Sequence, residues 1–127
     1  MKKFVSAAAV VLSALLITGC SGDGSYKDFN ELTKAVESAG ISCDADKTVT
    51  LIDDTGRALT CNDSYTMYLY EDQQGMRSQM EFIDETRQGI MTSHWVVGSG
   101  WYVIASNKDQ ATKLQKKIGG DVVQIGS

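Results

Sequence analysis

The chain has 127 residues and carries 12 Lys and Arg against 16 Asp and Glu, for a formal net charge of −4. Its length fits one domain. The densest basic group falls on one predicted helix and consists of Lys113, Lys116 and Lys117. It is predicted to form a solvated face that complements the negative end of the helix dipole. An acidic chain without a wider basic patch is not predicted to bind nucleic acid.

The first residues have the pattern of a secretory signal. Lys2 and Lys3 are followed by an apolar run of 14 residues, 4–17, which only Ser6 and Ser13 interrupt. A membrane-spanning helix needs about 20 apolar residues. The run is therefore too short to span a bilayer, and it predicts a segment that is cleaved after secretion.

The apolar run ends in Ile17-Thr18-Gly19-Cys20, which resembles the lipobox of bacterial lipoprotein precursors. The resemblance implies that lipoprotein signal peptidase removes residues 1–19 and that the Cys20 thiol carries diacylglycerol. The two acyl chains of this lipid, such as palmitate, anchor the protein to the cell membrane, facing outside the cytoplasm. The alternatives are an ordinary secretory signal with an incidental cysteine and an uncleaved anchor.

The rest of the chain is predicted to divide into a lipidated tether, residues 20–25, and a single domain, residues 26–127. The tether is small and polar. Removal of residues 1–19 leaves 108 residues and a formal charge of −6, because that segment contains two lysines and no acid. No repeat or proline-marked linker divides the remainder.

Two cysteines remain once Cys20 is assigned to lipid, namely Cys43 and Cys61. Secreted domains of this size commonly use a disulfide, and no CxxC or CxxH spacing indicates redox or zinc chemistry. We therefore predict a bond between these cysteines. The alternative is two separate buried thiols.

In the first half of the domain, residues 26–39 are predicted as an amphipathic helix that ends before Gly40. Its N-terminus has a capping-box pattern at Ser25 and Asp28. Its apolar stripe is formed by Phe29, Leu32, Val36 and Ala39. A hairpin is predicted next, with strands at 48–52 and 57–61 around the turn 53–56, and then a strand at 65–70.

In the second half, a helix is predicted from Asp72 to Gly89, with one face whose residues recur at helical spacing and charged and amide residues elsewhere. This face is formed by Met76, Met80, Ile83 and Arg87. A second hairpin covers 90–97 and 101–105, around a glycine turn. A helix capped by Ser106 and Asp109 then runs to Gly119, and residues 122–125 are predicted as a short edge strand.

This order of elements predicts an α+β fold: a two-layer sandwich of a mainly antiparallel sheet with about three helices. Tight turns between successive strands indicate antiparallel pairing. Helices with one apolar face each need a sheet surface to cover. The pattern does not establish the order of the strands.

Residue types that carry catalysis or bind metals are sparse. His94 is the single histidine, and no nucleophile-elbow motif accompanies it, so no catalytic residue is predicted. The acids Asp44, Asp46, Asp53 and Asp54 lie near each other but lack the glycine and glutamate spacing of a calcium loop. Neither a metal, a cofactor nor an enzymatic activity is predicted.

Aromatic residues on the predicted strands are the better candidates for function. Tyr68 and Tyr70 share one strand face, and Tyr102 lies on another strand. A sheet covered by helices on one side leaves some rings exposed, and exposed aromatics beside polar groups are enriched in recognition surfaces. These three tyrosines are the predicted binding residues.

The order of Ala39–Cys43, a second cysteine, the strand 101–104 and a capped helix ending at Gly119-Gly120 resembles small uncharacterised lipoproteins of Gram-positive, especially actinobacterial, cells. The leading hypothesis is a non-catalytic binding or accessory module for an envelope protein or polymer. The alternative is a protective surface protein, such as a phage superinfection-exclusion factor or an inhibitor of an extracellular enzyme. A small hydrolase is third.

Overall fold

The computed structural model describes residues 24–127. The predicted signal segment and Cys20 lie outside the described residues. Two single-turn 3₁₀ helices, Ala45–Lys47 and Ile52–Asp54, flank the first strand. The regular elements are α1 (Phe29–Ser38), β1 (Val49–Thr50), β2 (Gly56–Cys61), β3 (Tyr65–Tyr70), α2 (Gln73–Arg87), β4 (Thr92–Val97), β5 (Trp101–Ala105), α3 (Lys108–Ile118) and β6 (Asp121–Gly126).

The strands form one six-stranded sheet in the order β1-β2-β3-β5-β4-β6. Every neighbouring pair is antiparallel. The predicted α+β class, with an antiparallel sheet and three helices among the described residues, is confirmed. Strand β3 pairs with β5 rather than with β4, because the chain crosses through α2 before it returns.

Helices α1 and α3 cover one face of the sheet, called here the α1–α3 face. The apolar stripe of α1 is in place, with Leu32 and Val36 fully buried. They pack in one core with Leu114 and Ile118 of α3 and with strand residues such as Trp101. This burial of apolar surface is the main source of stability on this face.

Helix α2 packs on the opposite face, called here the α2 face. Its predicted inner side is confirmed, since Met76 is buried and Met80 and Ile83 pack against the same cluster. The buried strand residues of this cluster are Trp95, Tyr102 and Ile125. The sandwich therefore gains a partial third layer, which covers the side of the sheet near β6.

The N-termini of two helices differ from the prediction, by three residues for α1 and by one residue for α3. Helix α1 is capped by Asp28, whose side chain accepts the backbone N–H of Glu31, and not by Ser25. Helix α3 is capped by Asn107, which accepts from Gln110, one residue after the predicted Ser106. Each helix has several good capping residues in succession, and only one lies where its oxygen reaches a free N–H.

The first predicted strand is shorter than expected. Only Val49 and Thr50 pair with β2, and the chain turns at Leu51 into a 3₁₀ helix that ends near Asp54, with φ of 58°. The Leu51 amide still donates to the Gly56 carbonyl at 2.9 Å. One edge of the sheet is therefore only two residues long.

Gly24 belongs to the folded domain, although the sequence assigned it to the tether. Its carbonyl accepts a hydrogen bond from the Trp101 indole N–H at 2.5 Å and another from the Ser99 amide at 3.2 Å. Gly24 is buried, and a Cβ there would lie 2.9 Å from the Gly120 nitrogen. The close contact explains why a glycine is needed.

The predicted disulfide between Cys43 and Cys61 is present. It links the loop before β1 to the end of β2, so it holds that loop against the core beside the fully buried Cys61.

Within residues 24–127, no helix has the length and apolar character needed to cross a membrane.

Candidate binding site beside Tyr68

An aromatic cluster lies on the α2 face where β3, β5 and β4 are neighbours. Trp95 stacks on Tyr102 with ring centroids 4.4 Å apart. Tyr68 lies 5.0 Å from Tyr102 and Tyr70 lies 5.9 Å from it, between ring centroids. The register places Tyr68 directly opposite Tyr102, so strand pairing itself creates the cluster. Such contacts hold the rings in fixed orientations.

Only two of the three predicted tyrosines are accessible. Tyr102 is 1% exposed because the rings of Tyr68, Tyr70 and Trp95 surround it, so its predicted place in the binding surface is wrong. Tyr68 and Tyr70 are half-buried. Tyr102 therefore supports the two partly exposed rings from beneath.

Burial also fixes the protonation of this cluster. It raises the pKa of Tyr102, and the hydrogen bond with Tyr70 raises it further. Burial likewise raises the pKa of Tyr70, against a lowering by the same hydrogen bond. Both phenols are therefore neutral near pH 7, and they can act as hydrogen-bond donors and acceptors.

A cleft of about 510 Å³ opens beside Tyr68, on the part of the α2 face that α2 does not cover. Because paired residues share a face, Ala58, Thr60, Thr66 and Tyr68 lie side by side on β2 and β3. Two loops complete the walls, the one before β1 and the β2–β3 turn. They contribute Ser42, Cys43, Asp44, Lys47, Asn62 and Asp63.

Some polar groups of this cleft already have hydrogen-bond partners, and others are available to a ligand. The hydroxyls of Thr60 and Thr66 bond to each other at 3.2 Å, and Asp44 accepts the Asp46 amide at 3.2 Å. Within residues 24–127, no side-chain hydrogen bond or ion pair is seen for the Tyr68 hydroxyl, Lys47, Asn62 or Asp63. The cleft thus offers a ring together with donors and acceptors, which suits a hydroxylated or amide-bearing ligand.

Tyr70 is next to Tyr68, with ring centroids 6.3 Å apart, but it borders a different depression. That depression has a volume of about 560 Å³ and lies between the β2–β3 strands and the segment before α1. Arg57, Glu71 and Ser99 are among its other residues. The two predicted tyrosines therefore form one cluster that opens toward two separate surfaces.

The other candidates from the sequence are not brought together. His94 is half-buried on β4. In the sheet, β4 is four positions from β1, so the two strands are about 19 Å apart at about 4.8 Å per strand. Asp44 caps a 3₁₀ turn and Asp54 pairs with Arg57 at 2.8 Å. The side chain of Asp53 lies outside the described part of the chain. Among described residues, no three His, Cys, Asp or Glu side chains converge.

No protein-family model, no curated protein and no solved structure matches this chain. The fold and the cleft define its class as an α+β domain with one partly open sheet face. Sequence reasoning found Tyr68 but missed the cleft residues from the two loops, because only the disulfide and the short β1 bring the loop 42–47 beside Asn62 and Asp63. Alternation does place Thr66 on the face of Tyr68.

Proposed function

We propose that this protein is a membrane-anchored extracytoplasmic lipoprotein that acts as a non-catalytic binding module. It recognises an envelope protein or polymer at the cleft beside Tyr68. The lipobox resemblance at Cys20 supports the location. The disulfide between Cys43 and Cys61 supports it independently, because such bonds persist in oxidising compartments and are rare in the cytosol.

The observation that carries the proposal is the position of Tyr68. Its ring is supported by Tyr102 at 5.0 Å between ring centroids, while Tyr68 itself lines the cleft. A ring held in place before binding loses little conformational entropy when it contacts a ligand. Rigid aromatic anchors of this kind dominate many recognition surfaces.

The charges around the cleft narrow the chemistry of the ligand. Asp44 and Asp63 are opposed by Lys47 alone, so the charged side chains that line it sum to −1. A strongly anionic polymer is therefore disfavoured. Neutral or weakly cationic segments that carry hydroxyl or amide groups fit best, and they gain hydrogen bonds with Tyr68 and Asn62.

The binding test is a pull-down from envelope extracts with the protein immobilised through its C-terminus. We expect Tyr68→Ala to reduce recovery of the bound component at least tenfold. Tyr65→Ala is the matched control, since Tyr65 is on the same strand but packs with the α1–α3 core, and it should retain binding. Equal recovery by wild type and Tyr68→Ala, with both folded by circular dichroism, would refute the site.

The anchor is tested separately by mass spectrometry of the protein from the envelope. A mature N-terminus at Cys20 carrying diacylglycerol is the expected result, and Cys20→Ala should accumulate as an unprocessed precursor. An unmodified Cys20, or retention of Met1 in the mature protein, would refute lipidation without affecting the proposed cleft.

A further inference from the structure

The two edges of the sheet are built differently. At one edge, β1 is two residues long and 3₁₀ turns lie close to it on both sides, so little regular backbone is presented. At the other edge, β6 runs for six residues, Asp121–Gly126, and pairs with β4 along its whole length. A regular edge strand presents backbone N–H and C=O groups that another strand can pair with.

The pairing pattern identifies which groups of β6 point outward. The Gly98 amide donates to the Trp101 carbonyl at 2.9 Å, which directs the even-numbered residues of β4 toward β5 and the odd-numbered ones toward β6. The partners of those odd-numbered residues are Asp121, Val123 and Ile125. Val122 and Gln124 therefore point their backbone groups away from the sheet.

The far end of this edge is closed by side chains. The Gly126 amide donates to the Asp84 carboxylate of α2 at 2.7 Å, and the Gly126 carbonyl accepts from the Gln124 side chain at 3.3 Å. Within residues 24–127, nothing pairs with the outward backbone groups of Val122 and Gln124. The open part of the edge is thus a three-residue segment centred on Val123.

The usual devices against edge pairing are missing from this segment. Protected edges carry lysine, proline, a bulge or an inward charge. Here β6 has one charged residue, Asp121, and the whole chain has no proline. Val122 and Val123 are β-branched and half-buried, which favours an extended conformation.

We propose that the β6 edge pairs with β6 of a second copy of this chain, antiparallel about a two-fold axis at Val123. Val122 then lies opposite Gln124 of the second copy, and the reciprocal pair forms on the other side of the axis. Both outward N–H and both outward C=O groups of each copy are satisfied in this register, and no other residues are needed. An isologous contact of this kind closes as a dimer.

The electrostatics and the anchor are compatible with this pairing. Asp121 falls opposite Ile125 of the second copy, so the two aspartates do not meet. The contact is small, and association should be weak in dilute solution and effective where copies are concentrated on one membrane. Because the two β6 strands are antiparallel, the Gly24 residues of the two copies lie at opposite ends of the dimer. Both copies can be anchored in one bilayer only if the paired strands run along its surface.

Disulfide cross-linking of the full-length protein in its membrane tests both the partner and the register. In this register, Val123 faces Val123 of the second copy as a non-hydrogen-bonded pair, with Cα atoms about 4.5 Å apart, within the range of a disulfide. We expect Val123→Cys to form a covalent dimer under mild oxidation. Gln124→Cys is the matched control. It should remain monomeric, because the Cα atoms of residue 124 in the two copies are more than about 7 Å apart in this register, which is too far for a disulfide.

A second arm removes the pairing without disturbing the fold. Val122→Pro deletes an N–H that points to solvent in the monomer, and proline is tolerated at such edge positions. In the Val123→Cys background it should lower the dimer fraction at least tenfold while the melting temperature stays within a few degrees. If that variant fails to fold, Gln124→Pro serves the same purpose.

Three results would overturn the proposal. They are the absence of a dimer with Val123→Cys, equal cross-linking with Gln124→Cys, and a covalent adduct of Val123→Cys with a different protein. The last result would assign the edge to an extended segment of another partner. Failure of this proposal leaves the Tyr68 cleft unaffected. Tyr68 lies on β3 and Val123 lies on β6, and strands β5 and β4 separate the two in the sheet.

Discussion

The phenolic oxygens of Tyr70 and Tyr102 lie 3.1 Å apart and share one hydrogen bond between β3 and β5. Tyr102 is the buried partner, and the same bond holds Tyr70 at the surface of the cluster. Ionisation of either phenol would place a charge in a poorly solvated environment. The pair therefore couples the packing of the aromatic cluster to its protonation.

Stability should consequently fall at alkaline pH. Burial raises the pKa of both phenols in the folded state above the value of about 10 expected when unfolded. Above about pH 10, the folded state then binds more protons than the unfolded state, so the stability present below that pH is lost as pH rises. Each of the two groups lowers the free energy of unfolding by at most about 1.4 kcal/mol per pH unit. Urea unfolding between pH 8 and 11.5 measures this decline.

The control for this effect is Tyr102→Phe. Removal of the buried phenol should reduce stability at pH 7 by about 1 kcal/mol, because the Tyr70 hydroxyl loses its partner. The alkaline decline should become shallower in this variant. An identical decline in wild type and Tyr102→Phe would show that Tyr102 does not contribute to it.

Gly24 and Gly40 allow a steric contact to be separated from backbone strain. Both have positive φ, 68° and 93°, but a Cβ at Gly24 would meet the Gly120 backbone at 2.9 Å whereas a Cβ at Gly40 meets nothing within 4 Å. Gly40→Ala should destabilise by about 1 kcal/mol and Gly24→Ala by about 1 to 2 kcal/mol more. Denaturant unfolding of both variants measures the difference, and equal losses would contradict the contact.

The disulfide should contribute about 3 kcal/mol, since it closes a loop with a sequence separation of 18. The double variant Cys43→Ala and Cys61→Ala should lose this amount in urea unfolding. Reductant should lower the wild-type midpoint to a similar value and leave that of the double variant unchanged. Full thiol labelling of both cysteines in unreduced, denatured wild type would mean that the bond is not formed in the cell.

Helix α2 depends on its N-cap. Asp72 accepts the amides of Gln74 and Gly75 at 3.1 and 3.3 Å. Asp72→Ala should therefore destabilise by about 1 kcal/mol, while Asp72→Asn should retain most of the stability because asparagine caps nearly as well. Thermal unfolding of the three proteins measures the series, and equal melting temperatures for the alanine and asparagine variants would exclude a capping role.

Local patterns predicted most of the elements. Strand β5 matches residues 101–105, and the inner face of α2 matches Met76, Met80 and Ile83. These features depend on periodicity and turn chemistry, which are encoded in neighbouring residues. The shortening of β1 was missed because the apolar alternation continues through Leu51 and Ile52 while the backbone has already turned.

Long-range arrangement was the part that local patterns did not predict. Alternation assigns Tyr68 and Tyr102 to strand faces, but it does not reveal that β3 pairs with β5 and places these residues opposite each other. The burial of Tyr102 depends on that pairing and on Trp95 from a third strand. The cleft depends in addition on a loop that the disulfide draws toward the β2–β3 turn.

The hydrogen bond from Trp101 to the Gly24 carbonyl has a consequence for protein engineering. It ties Gly24 to the core, and the close contact with the Gly120 backbone leaves no room for a side chain at that position. A truncated form of the protein should therefore keep Gly24, because its loss would leave the buried Trp101 indole N–H without this acceptor.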